Sequence, residues 1–251
     1  MKNDIDRKLK KILGYPSSVA ENFLHLSENK YKKRGRPAIF KKTLPICKSY
    51  ARFPEIKLPK SYRTKKSDLL KVLMTRRSQR NPSKKFLGLD EISFILYYSA
   101  GISYEKTELI LRTYPSAGAL FPCEIYIISL NTELSSIPFV FHYYPLNHSL
   151  EKLWKVNRTS LKKAIIQKEP LKFPLIILIT AIFAKSTIKY GYRGYRYAFM
   201  EAGHIGQNIL LISRFLNLNS FPLGGFIEKE INNILDIDGL NESILYMFPI
   251  G

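Results

Sequence analysis

Cysteine is close to absent from this chain: Cys47 and Cys123 are the only two in 251 residues. They could pair only with each other, and their spacing forms neither a metal-binding nor a redox motif, which leaves reduced thiols in a cytoplasmic protein as the simplest reading. Long apolar runs are missing too. The longest, Phe173 to Phe183 (FPLIILITAIF), is too short to span a bilayer and reads as a buried strand. The N-terminus, MKNDIDRKLKKILGYP, is basic but has no uninterrupted apolar segment, so it does not read as a secretory signal. There is no internal repeat, no low-complexity tract and no GxGxxG dinucleotide fingerprint.

Acidic residues are scarce as well: 20 Asp and Glu stand against 40 Lys and Arg, a net charge of +20. The imbalance is local. Residues 1–85 hold 25 basic and 6 acidic residues, whereas residues 86–251 hold 15 and 14. Such a basic segment suits nucleic acid, an acidic peptide or an anionic surface. No recognised nucleic-acid module accompanies it, which favours a plain solvated basic surface over nucleic-acid binding.

What is present is a globular share of apolar residues, 45%, in a length that suits one large domain or two small ones. Residues 1–66, with Pro16, Pro37, Pro45, Pro54 and Pro59, read as an extended basic arm with short helical pieces, anchored by Phe23, Leu24, Leu26, Ile39, Phe40, Tyr50 and Phe53. Residues 67–251 form the main domain. Ser67 can cap a helix running to Arg76, and a second helix fits Asp90 to Ala100, ended by Gly101. Strands are expected at Glu124–Leu130 and Phe139–Tyr144, a helix near Ser149–Ile166, a strand over 173–183 and a long amphipathic helix over Tyr195–Asn217. A short helix after Glu228 and a strand at Ile244–Pro249 close the chain. Helices and strands mix without strict βαβ alternation, so the fold class is α+β.

Four segments could carry chemistry. In RRSQR, Arg76, Ser78 and Arg80 sit at alternate positions and put three donors on one side of a turning backbone, which suits a phosphate; such clusters also simply face water. In YPSAGALFP, Ser116, Ala117, Gly118 and Ala119 have little side-chain bulk, so backbone can approach a flat ligand, while Pro115 and Pro122 stiffen the entry and exit. Without such a ligand the stretch is a tight connection into a strand. Lys189-Tyr190, ahead of the long helix, could supply an acid or base. Leu223-Gly224-Gly225-Phe226 offers unobstructed backbone N–H groups, or is a plain loop. A fifth pattern, Glu201-x-x-His204, invites a metal, but carboxylate-bridged di-metal sites need two such motifs and this chain has one. No metal is expected, and Glu201 reads as part of a polar helix face or of a buried network with Gln207 and Asn208. His25, His142 and His148 read as structural.

In this order the four segments closely resemble the nitroreductase-like flavoenzymes, and within them the SagB-type dehydrogenases, which oxidise azolines to azoles in ribosomally made peptides. The resemblance covers about 180 residues, roughly Ser67 to Gly251, and reaches into the arm through FLHLSENKY and LPK. It implies a dimeric fold with a mixed sheet flanked by helices and two FMN sites at the subunit interface. Arg76, Ser78 and Arg80, with Arg77 beside them, would contact the FMN phosphate and ribityl chain. Pro115, Ser116, Ala117 and Gly118 would line the flavin, and Gly224 and Gly225 would approach its ring. Lys189 and Tyr190 would be the catalytic pair, either of them the base. Two departures stand out: Phe121 replaces a Tyr of the family segment, and the basic residues many relatives carry near the C-terminus are not present before the final FPIG, which shifts more of the phosphate to Arg76 and Arg80.

The implied activity is a two-electron oxidation of thiazoline or oxazoline rings in a heterocyclised peptide, with a cyclodehydratase as possible partner. Two rivals remain at this point. One is a general FMN-dependent nitro or quinone reductase with a nicotinamide donor; the other is a cofactorless protein whose basic arm binds nucleic acid or a leader peptide.

Overall fold

The computed structural model describes residues 45–59, 69–106 and 109–251. Ser67 and the arm residues before position 45, with their apolar anchors from Phe23 to Phe40, lie outside the described residues, as does FLHLSENKY.

The architecture grows from two strands that are buried along nearly their whole length. In β4 (Cys123–Ser129) and β7 (Leu175–Ile182) almost every residue is buried, because helices cover both faces of the sheet. Alternate residues then divide cleanly between two cores. Ile125 and Ile127 of β4, with Leu175, Ile177 and Ile179 of β7, face one core; Tyr126, Ile128, Ile176 and Leu178 face the other. The full sheet adds β1 (Glu55–Lys57), β5 (Phe139–Tyr144), β6 (Ser149–Lys155) and β8 (Glu242–Ile250), in the order β1-β6-β5-β4-β7-β8. The resemblance implies a mixed sheet; every pairing described within this one is antiparallel. A separate hairpin pairs β2 (Ile102–Lys106) with β3 (Leu109–Arg112).

The first core is closed by α2 (Leu89–Ala100) and α5 (Arg193–Phe215). Helix α5 turns Ala198, Ala202, Ile205 and Ile209 to the sheet at three- and four-residue spacing. It lies very close: a Cβ on Gly206 would stand 2.5 Å from the Phe248 ring. The second core is closed by α3 (Arg158–Ala164) and α6 (Glu228–Leu235). Two further helices matter for the site, α1 (Leu69–Thr75) and α4 (Ala184–Tyr190).

The expected helices at Asp90–Ala100 and Tyr195–Asn217 are present within two residues of their bounds. Gly101 does end α2, since a Cβ there would come within 2.5 Å of the Tyr97 carbonyl oxygen. The helix expected near Ser149–Ile166 is a correction: its first half is β6, and only α3, capped by the Asn157 side chain on the Thr159 N–H, is helical. A tight turn at Tyr144–Ser149 lets this segment pair with β5, and that pairing overrides its helical spacing. Residues 45–59 pack on the sheet, with β1 paired to β6 and Tyr50 and Phe53 in edge-to-face contact with Trp154.

Candidate cofactor and catalytic site

The small-residue segment forms a strained turn where β3 gives way to β4. Ser116 to Leu120 wrap a single 3-10 turn in which Gly118 and Ala119 both take positive φ, 67° and 51°, followed by Phe121 at 48°. Glycine suits such a position; alanine and phenylalanine are held there by their surroundings. The Ser116 hydroxyl accepts the Phe121 N–H at 3.0 Å, and the Phe121 side chain is buried.

Against this turn lies the Lys-Tyr pair. A Cβ on Gly118 would stand 2.6 Å from the Tyr190 hydroxyl and 2.8 Å from Lys189 Nζ. The two residues end α4, a short helix between β7 and α5. One helical turn earlier, Lys185 is buried and anchors the helix: its Nζ lies 2.5 Å from Glu124 and also reaches the carbonyls of Phe121 and Ile46. Ser186 donates to the Gly194 carbonyl at 3.0 Å, and the lack of a Cβ on Gly194 lets α5 start hard against α4. Tyr190 meets Tyr197 edge to face at 4.9 Å. Lys189 itself is exposed, so the pair stands at an open rim backed by a rigid, buried base.

That base is a polar network in the interior. Burial would raise the Glu124 carboxyl, but the Lys185 charge, with His142 and Arg112, outweighs it and holds the group at about 2. His142 sits between Glu124 and Glu151; burial disfavours its charge, and the two carboxylates more than restore it. Glu201, on α5, lies directly beneath the turn, accepting the Cys123 N–H at 3.2 Å. Burial drives its carboxyl up to about 7, against the pull of the Ser116 hydroxyl, the Cys123 N–H and Arg112. Arg112 stacks over Phe121 and donates to the Tyr114 hydroxyl and the Cys47 sulfur. Both cysteines are free and buried.

The arginine segment is elsewhere. It leaves the end of α1, ties back through the Gln79 N–H to the Ser220 carbonyl at 3.1 Å, and passes Arg80 over the Phe221 ring. Arg76 and Arg77 line a polar cleft with Thr75, Gln79, Asn219, Ser220 and Arg214; Ser78 and Arg80 are exposed beside it. Gly224 and Gly225 sit in an exposed loop pinned on either side by the Leu223–Met247 and Ile165–Phe226 bridges, with nothing near Gly224 where a side chain would be.

The two regions lie toward opposite ends of β7. The arginine end adjoins Ser220, which bridges to Ile250, the partner of Leu175; the Gly118 turn adjoins Cys123, the partner of Ala181. Leu175 and Ala181 are six positions apart along β7, about 20 Å of strand.

Glu201 and His204 do not converge, since Glu201 is buried and His204 exposed. Among the described residues no group of three or more His, Cys, Asp or Glu is placed to hold a metal. Asn208 donates instead to the Ser99 and Thr113 carbonyls. The sequence reading missed Glu124, Lys185, Arg112 and Arg214. Glu124 had a signal, a lone carboxylate in an otherwise apolar strand, and Lys185 precedes Lys189 by four residues on one helix face. Arg214 had none, because a basic residue in the last turn of a helix is commonplace.

The fold is of α+β type, with a small-residue turn packed against a Lys-Tyr pair. The model of the nitroreductase family matches residues 73–251, and the chain belongs to that family. It is 34% identical over 199 residues to the nitroreductase-family protein MJ1384 of Methanocaldococcus jannaschii, covering 78% of this chain and 96% of the relative. The microcin B17-processing protein McbC of Escherichia coli is 35% identical over 135 residues, 51% of this chain and 50% of McbC. The trifolitoxin-processing protein TfxB of Rhizobium leguminosarum bv. trifolii is 27% identical over 185 residues, 68% of this chain and 49% of TfxB. The chain thus spans about half the length of these two processing proteins.

Among solved structures, a nitroreductase-family protein of Anabaena variabilis aligns with a TM-score of 0.74 at 27% identity, over 92% of this chain and 46% of that one. A chain of the E. coli microcin synthetase McbBCD complex, with truncated pro-MccB17 bound, has the same fold at a TM-score of 0.62 and 21% identity, over 97% and 96% of the two chains. A Desulfovibrio desulfuricans protein of this fold, solved in complex with FMN, aligns at 0.51 with 16% identity, over 74% of this chain and 87% of that one. No helix among the described residues is long and apolar enough to cross a membrane.

Proposed function

We propose that this protein is an FMN-dependent dehydrogenase of the SagB type, which oxidises thiazoline or oxazoline rings to azoles in a ribosomally made peptide. The observation that carries the reading is the contact of Gly118 with Lys189 and Tyr190: the turn suited to a flat ligand and the pair suited to proton chemistry share one rim. The likeness to McbC and TfxB supports a peptide as substrate.

The donors present fit FMN. A cleft lined by guanidinium groups suits a phosphate monoester, and a turn without side-chain bulk suits a flat ring. Arg76, Arg77, Ser78 and Arg80 would hold the phosphate and ribityl chain, and Pro115, Ser116, Ala117, Gly118, Gly224 and Gly225 would lie along the ring. FMN, when bound, supplies two-electron acceptance from the substrate. The chain supplies the rest. Lys189 Nζ or Tyr190 Oη would take the ring proton, and Lys185 would keep their helix fixed to the turn.

The separation of about 20 Å along β7 between the arginine end and the turn argues that a complete site draws on two chains, hence a homodimer. Residues 67–251 would form the flavin domain and residues 1–66 a basic arm, in a cytoplasmic enzyme working beside a cyclodehydratase partner. The fold shared with a chain of the McbBCD complex over nearly its whole length supports that partnership.

The test is mass spectrometry of thiazoline- and oxazoline-bearing peptides after incubation with the FMN-loaded protein. Each ring oxidised lowers the peptide mass by about 2 Da, the two hydrogens removed. No mass change across the peptides, with FMN bound, would defeat this reading. A second reading, a nitro or quinone reductase with a nicotinamide donor, is favoured by the match to MJ1384 over 96% of that protein. Turnover that needs no peptide would select it.

A further inference from the structure

We propose that Arg214 is a further guanidinium of the phosphate clamp, beside Arg76 and Arg77 in the same cleft and held in place by Thr75, an inference that rests on the FMN reading above. Arg214 belongs to the last turn of α5, far in sequence from RRSQR, yet its side chain lines the same cleft as Arg76 and Arg77. Its Nε donates to the Thr75 hydroxyl at 3.0 Å, and Thr75 in turn donates to the Lys71 carbonyl at 2.7 Å. One side of the planar fork is therefore fixed to α1, and the guanidinium is oriented before any anion arrives. A preoriented fork loses little freedom on binding a phosphate and can engage it through two parallel N–H groups.

A second feature of the cleft points to an anion. Ser220 lines it, is 4% exposed, and its hydroxyl has no hydrogen-bond partner among the described residues. A buried donor left unmatched is costly, and a phosphate oxygen is the kind of acceptor that answers it. The wall on this side also carries the Asn219 amide, which donates to the Asn81 carbonyl and so ties the cleft to the chain beyond RRSQR. Gln79, bound through its N–H to Ser220, closes the same wall. The ligand chemistry is thus a phosphate monoester, gripped from α1, from the loop after it and from the end of α5.

A role for Arg214 confined to the helix is the alternative, since a cation at a helix C-terminus offsets the backbone dipole. The two are separable by comparing FMN with riboflavin, which has the same ring and no phosphate. Both are titrated, following flavin fluorescence, into wild-type protein and into the Arg214→Gln and Arg214→Lys variants freed of bound flavin, with helical content checked by circular dichroism. We expect Arg214→Gln to weaken FMN by about tenfold or more and to leave riboflavin within about twofold, with Arg214→Lys in between. Inorganic phosphate should compete with FMN on the wild type and less on Arg214→Gln. Equal FMN affinity in the wild type and a folded Arg214→Gln, or an equal loss for both flavins, would overturn the assignment while leaving FMN dependence intact. A wild type that binds neither flavin would overturn the cofactor reading and this inference with it.

Discussion

Gly118 lies directly against Tyr190, so closely that a methyl group on the glycine would stand 2.6 Å from the phenolic oxygen. The atoms in the way, Tyr190 Oη and Lys189 Nζ, end flexible side chains, so alanine there displaces the pair more than the backbone. Gly118→Ala also carries the cost of a positive φ, about 1–2 kcal/mol. The variant should fold with that modest loss of stability and, per FMN bound, oxidise azolines far more slowly than the wild type. Unchanged rates would mean that the position of the pair does not matter to the reaction.

Lys185 is expected to be the residue on which the rim depends. Replacing it with Met leaves Glu124 buried without its nearest cation, and broken buried pairs cost about 3–5 kcal/mol. Chemical denaturation should show a loss toward that range. Adding Glu124→Gln should return part of it, because the second change removes the stranded charge. Strictly additive losses would show that the two residues act independently.

Stability should also depend on pH through Glu201. Its folded carboxyl is pushed to about 7 from an ordinary 4.5, so between those values the folded protein holds a proton that the unfolded chain has released. The contribution is fully present below about 4.5 and is lost as pH rises through about 7, on the order of 3 kcal/mol at most. Glu124, held at about 2, works the other way, and its contribution fades as pH falls from 4.5. His142 also releases its proton as pH rises, so the readout is the difference between the wild type and Glu201→Gln. The wild type should lose more stability than the variant between pH 5 and pH 8, about three units that bracket the shifted value. Parallel curves would contradict the assignment.

Much of this was legible in the sequence. The apolar run of β7, the long helix α5 and the small-residue turn could be read because periodicity and side-chain bulk are local properties. Segment β6 was misread because its pairing with β5 is decided by a turn outside the helical pattern. The Lys189-Tyr190 pair was found by resemblance, but its support was not, since Lys185, Glu124 and His142 are brought together from positions far apart in the chain. Arg214 stayed invisible for the same reason: its neighbours Thr75 and Arg76 are more than a hundred residues away.

If a complete site draws on two chains, two inactive variants should rescue each other. One carries Arg76→Ala and Arg80→Ala, the other Lys189→Ala and Tyr190→Phe. A mixed dimer has one site with all four residues intact, so re-equilibrated equal mixtures should recover about a quarter of wild-type activity. No recovery, with exchange of subunits verified, would place the whole site within one chain.

The most direct measurement is the absorbance of the bound flavin under anaerobic conditions as candidate reductants are added one at a time. Heterocyclised peptide alone should bleach it, with one flavin reduced for each ring oxidised, and Lys189→Ala together with Tyr190→Phe should bind flavin yet bleach slowly, by a factor of about 10² or more. Bleaching by a reduced nicotinamide and by none of the thiazoline or oxazoline peptides would contradict azoline oxidation as the function.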